Sequence, residues 1–158
     1  MNLESEIYQL SFELSEAIDK NNLQKLLGVL SNDGVYAMWV YAMDKLDWKF
    51  SDNPEEMKKM KLFKLLNVVS KLSRYLPEEL NFDDPLNEIA ELTKKINDAK
   101  ENNQKNVELE YKCKRKKVLN QNFQTLAQNL NKLLFMKELL ERVLIYARYH
   151  AKAIGDQN

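Results

Sequence analysis

The sequence predicts an all-α fold, a compact bundle of about six helices that includes a long C-terminal helix. Three observations lead there. Glycine and proline are scarce, at three each in 158 residues, fewer than β-sandwiches or α/β folds need for their turns. The dominant residues Leu, Lys, Glu, Ala and Met are good helix formers, with Asn the exception. Apolar residues recur at three- and four-residue intervals along most of the chain. The length fits a single helical domain over 1–158, and a chain of this size buries about two-thirds of its unfolded surface, enough for one core.

A first helix is expected from about Leu3 to Lys20, with Ile7, Leu10, Leu14 and Ile18 in phase, ended by Asn21-Asn22. A short helix carrying Leu23, Leu26, Leu27 and Leu30 follows. Ser31-Asn32-Asp33-Gly34 reads as a stop and a new N-cap. The next helix, Val35 to about Trp48, is apolar nearly all round, which predicts a place at the centre of the domain. Residues 54–75 read as one amphipathic helix opened by Asn53-Pro54-Glu55-Glu56, an N-cap, a proline at N1 and first-turn carboxylates. Asp84-Pro85-Leu86 reads the same way, and Leu76-Pro77-Glu78-Glu79 is a copy without a capping side chain. Leu86, Ile89, Leu92 and Ile96 mark the helix after Pro85. The polar stretch 97–106 reads as an exposed loop, a mobile turn or a helix extension. The last element, about Val107 to Ile154, is long, with a bend near Asn129–Lys132.

The chemical inventory argues against catalysis. Active sites need particular polar groups close together. Here there is one histidine, His150, and one cysteine, Cys113. His150 reads as a helix-capping or surface residue. Cys113 stands between lysines, which could activate a thiol, but no second thiol or organised base accompanies it. The Arg-x4-6-His pattern of one helical nuclease class is not met, because seven residues separate Arg142 from His150 and one separates Arg148. Carboxylate pairs at Glu55-Glu56, Glu78-Glu79 and Asp83-Asp84 stand beside prolines at expected helix starts, where the helix dipole accounts for them. No phosphate loop or Glu-x-x-His pair occurs. We therefore expect no catalytic residue, no metal and no cofactor. With a lone cysteine, no signal-peptide pattern and no apolar run near the ~18 residues of a membrane helix, a cytoplasmic setting without membrane contact is expected.

A net charge of zero conceals four blocks. Residues 1–56 carry 4 basic and 11 acidic groups, 57–75 carry 6 and none, 76–110 carry 4 and 10, and 111–158 carry 10 and 3. The first basic block is Lys58, Lys59, Lys61, Lys64, Lys71 and Arg74. The second begins with Lys112, Lys114, Arg115, Lys116 and Lys117, five cations in six residues. Two readings stand for that run: a phosphate-contact patch, with Tyr111 and Phe123 adding stacking, or a solvated face paired with the acidic 76–110 segment across a helical hairpin. Arg142, Arg148 and Lys152 extend the basic surface. Helices without base-reading motifs contact backbone rather than sequence, so sequence-independent binding to RNA, DNA or a hybrid duplex is expected. A helix-turn-helix reader is disfavoured, because the helix after Ser31–Gly34 is too apolar for a major groove.

Val29-Leu30-Ser31-Asn32-Asp33-Gly34, running into the apolar helix Val35–Tyr41, resembles the turn and central helix of the small helical subunits of CRISPR effector complexes, the type III kind above all. The Lys137–Ala153 helix is similar to the closing helix of that family. The 112–117 run and the 97–106 stretch depart from it. The resemblance implies a non-catalytic subunit of an RNA-guided ribonucleoprotein, with other subunits and RNA or an RNA-containing duplex as partners. Lys58, Lys61, Arg74, Arg142, Arg148 and Lys152 would be its backbone contacts. The alternative expectation is a helical protein–protein adaptor with no nucleic-acid role.

Overall fold

The computed structural model describes residues 2–76 and 85–155, which form eight α-helices, a single 3₁₀ turn and no strand. The all-helical expectation holds, but two expected helices are each divided, which raises the count from about six. The copy at Leu76–Glu79, the Asp83-Asp84 pair and the Asp84 cap involve residues outside the described ones.

Helix α1 (Leu3–Ala17) starts where Asn2 Oδ1 accepts the Ser5 N–H at 2.8 Å. It ends at Ile18, earlier than expected. Asp19 then caps α2 (Lys20–Asp33), its carboxylate accepting the Asn22 main-chain N–H at 3.3 Å and its side-chain amide at 2.7 Å. Asn21-Asn22 thus lie within the first turn of α2 instead of breaking a helix. An aspartate satisfies orphan N–H groups better than it continues a helix. Gly34, at φ +99°, ends α2 and leads into α3 (Val35–Lys45). Past α3, the Trp48 indole N–H folds back onto the Met43 carbonyl at 2.8 Å.

Helix α3 is not central. It buries Val35, Met38, Trp39 and Ala42 but exposes Tyr36 and Val40. The central role falls to α8 (Leu130–Gly155), which packs on α1, α2, α3, α5 and α7. Length explains this: 26 residues rise about 39 Å, against about 16 Å for the 11 of α3. Only a rod of that reach can meet most of the other helices.

The 54–75 segment is divided into α4 (Pro54–Lys58) and α5 (Lys61–Leu72) by the extended Met60, with the 3₁₀ turn Ser73–Tyr75 after it. Asn53 caps α4 as expected, accepting the Glu55 N–H at 3.0 Å. Helix α5 buries seven side chains, from Leu62 to Leu72. Helix α6 (Leu86–Glu101) and α7 (Lys105–Ala127) form an antiparallel hairpin. Residues 97–101 continue α6. Asn103, at φ +55°, makes the turn, and Gln104 N–H reaches Ala99 O at 2.8 Å while Asn103 N–H reaches Lys100 O at 3.2 Å. This paired closure is a Schellman turn with asparagine in its left-handed position. The bend expected near Asn129–Lys132 is a full break, where Asn129 Oδ1 accepts the Lys132 N–H at 3.1 Å. In the core, Trp39 stacks on Phe123 at 4.5 Å and donates to Asn120 Oδ1 at 2.9 Å.

Candidate nucleic-acid interface

The 112–117 run does not form one patch, because a helix turns its residues to different sides. Lys112 reaches Glu108 at 2.8 Å and Lys114 reaches Glu110 at 3.9 Å, each one turn back. Lys100 of α6 comes within 4.0 Å of the same Glu108. The hydrogen bond from Lys112 holds the Glu108 carboxyl below the usual carboxylate range. Arg115 turns inward, its guanidinium 3.9 Å over the Phe50 ring and Nη1 donating to Thr93 Oγ1 at 3.2 Å. Its Nε is buried without a partner, and burial pushes its pKa down. Lys116 and Lys117 are exposed, without an ion pair among the described residues. Most of the ion pairing runs within α7, and among the described residues Lys100–Glu108 is the one ion pair across the hairpin. Tyr111 lies half-buried between Lys95 and Lys114. Phe123, expected to offer stacking, is core and meets only Trp39 among the described rings.

The α4–α5 block is divided as well. Lys58 bonds to Glu55 at 3.1 Å. Lys58, Lys64 and Arg74 line a cavity of about 720 Å³, but Glu13 and Glu16 of α1 line it too. Opposed carboxylates weaken its field for an anion. Lys59, Lys61 and Lys71 lie away from this cavity.

On α8 the cations divide again. Arg142 is bonded to Glu4, which raises its pKa and ties α8 to α1. Arg148 and Lys152 instead join Lys20, Gln24 and Tyr149 around a notch of about 250 Å³ where α2 begins and α8 nears its end. Among the described residues, no carboxylate lines it. Asp19, next to Lys20 in the chain, is engaged in capping α2. Three cations around one concavity can hold an oxyanion by charge-assisted hydrogen bonds. Lys20 escaped the sequence reading, which treated it as the end of the first helix. Its recruitment depends on α2 lying antiparallel to α8, and no local pattern encodes that pairing.

Beside the notch runs a row of exposed aromatic side chains. Helix α1 lies parallel to α8, so positions 4, 8 and 12 follow 142, 146 and 150. Tyr8 and Phe12 flank His150, with ring centroids 5.3 and 5.7 Å away and planes nearly perpendicular. His150 is therefore half-buried between two rings, and is not a helix cap. Tyr146 and Tyr149 stand exposed on α8. Tyr149 also lines the notch.

Among the described residues no group of three or more His, Cys, Asp or Glu is placed to hold a metal ion, and no helix is long and apolar enough to cross a membrane. Comparison of the chain with protein families, with curated proteins and with solved structures finds no match.

Proposed function

We propose that this protein is a non-catalytic helical subunit that grips the phosphate backbone of RNA, or of an RNA-containing duplex, inside a multi-protein complex of the CRISPR effector kind. The observation that carries the backbone contact is the notch of Lys20, Arg148 and Lys152, three cations around one concavity with no carboxylate from the described residues in its lining. The assignment to an effector complex rests on the resemblance of Val29–Tyr41 and Lys137–Ala153. In the fold these segments are the α2–α3 junction and the body of α8. Among the expected backbone contacts, Arg148 and Lys152 have the best geometry. Arg142, Lys58, Lys112 and Lys114 are already neutralised by glutamates.

Neutralising about three phosphates of a single strand gives a slope of about −2 in log affinity against log salt. Anisotropy titrations of a labelled oligoribonucleotide at rising salt should show it. The triple variant Lys20→Ala/Arg148→Ala/Lys152→Ala should lose about tenfold in affinity at low salt and flatten the slope. Absence of binding to strands, duplexes and hybrids at low salt would sink the reading. A second reading, the protein–protein adaptor, is favoured by Tyr36 and Val40, one turn apart on the exposed side of α3. It expects a protein partner retained after nuclease treatment and lost on Tyr36→Ser.

A further inference from the structure

Exposed aromatic side chains are not spread evenly over this molecule. Of the five exposed Phe, Trp and Tyr side chains among the described residues, Tyr8, Phe12, Tyr146 and Tyr149 lie along α1 and α8, and only Tyr36 stands apart. Tyr8 is 63% exposed and Tyr149 56%. Large rings left in water at this density mark a surface that another molecule covers.

We propose that the nucleic acid held at the Lys20–Arg148–Lys152 notch is single-stranded, and that its unpaired bases stack on the α1–α8 row formed by Tyr8, Phe12, Tyr146 and Tyr149. This rests on the backbone-contact reading above and adds the class of strand. Charge complementarity decides the occupant. Tyr149 lines the notch with Lys20, Arg148 and Lys152, so a chain lying on that ring meets three cations and, among the described residues, no carboxylate. Aromatic rings beside a cationic groove are the general arrangement for unpaired strands, because every base offers a π face whatever its identity.

A duplex gains nothing from such a row, since its bases are already stacked on one another. The imidazole of His150, set nearly perpendicular to Tyr8 and Phe12, acts as a spacer that keeps those two rings upright.

The test uses the whole chain and three probes: a labelled uridine oligoribonucleotide, a hairpin duplex of equal charge, and inorganic polyphosphate as a competitor without bases. The strand should bind at least tenfold more tightly than the duplex. Tyr149→Leu and Tyr8→Leu should each lower strand affinity about tenfold, and Tyr8→Leu, which lies outside the notch, should leave polyphosphate competition unchanged. Tyr149→Phe and Tyr8→Phe, which keep the ring, should retain strand affinity. Equal affinity for strand and duplex, unmoved by the leucine variants, would overturn stacking while leaving the backbone reading intact. No binding of any of the three probes at low salt would overturn both. Leucine variants that alter self-association in sedimentation while strand binding stays constant would assign the row to a protein contact and end the proposal.

Discussion

Gly34 holds a φ of +99° between α2 and α3, a region that side-chain-bearing residues avoid. A Cβ placed there would meet no atom within 4 Å. Gly34→Ala therefore isolates the backbone cost, about 1–2 kcal/mol of stability, readable as a drop of a few degrees in unfolding midpoint. Arg115 works in the opposite direction. A half-buried guanidinium with an orphaned Nε is a desolvated charge, and its lowered pKa reports that folding disfavours the charged form. The charge stays on throughout the neutral range, so its cost is constant there. Arg115→Met keeps the contact with Phe50 and removes the orphan. Thermal unfolding should show equal or greater stability, by up to about 1 kcal/mol. A loss of more than about 2 kcal/mol would mean that the guanidinium is better satisfied than its contacts indicate.

The α6–α7 hairpin puts Glu108 between Lys112 and Lys100. Its carboxyl is held low first by the hydrogen bond from Lys112. A carboxylate whose pKa is lower folded than unfolded adds stability above the unfolded value, and loses it as pH falls through the folded value. The stability gap between wild type and Glu108→Gln should therefore be largest near neutral pH and close below the usual carboxylate range; a gap independent of pH would contradict the assignment. Much at this scale was legible in the sequence: the Asn53-Pro54 start, the Gly34 junction, and the α7–α8 break, anticipated as a bend. The break at Met60 was not, since neither glycine nor proline marks it and the apolar stripe runs on past it. The fate of the basic run was equally hidden. Five cations look alike in sequence, yet the turn of α7 gives two to glutamates, one to Phe50 and Thr93, and two to solvent. For the site, Arg148 and Lys152 were readable from charge alone. Lys20 and the aromatic row required knowing which helices lie side by side.

At the scale of the molecule, α8 is the spine on which α1 and α2 are laid. Leu144→Ala, at a fully buried position facing this assembly, should cost about 2–5 kcal/mol. Leu134→Ala, exposed on the same helix, should stay within about 0.5 kcal/mol. Denaturant midpoints of the two variants compare burial directly on one element. The sequence placed the apolar centre in α3 because it weighed local composition, whereas centrality depends on reach and on partners far along the chain. The Glu4–Arg142 clamp illustrates the distance, since 138 residues separate its partners. That separation carries a kinetic consequence. The α6–α7 hairpin needs only neighbouring residues and can form while the chain is still emerging from the ribosome, whereas α1 and α2, which meet α5 and α3 earlier, must wait for nearly all the rest to be translated before their main partner α8 exists. Their apolar faces are the surfaces that a nascent chain leaves uncovered longest, and the ones for which a chaperone would have most to do.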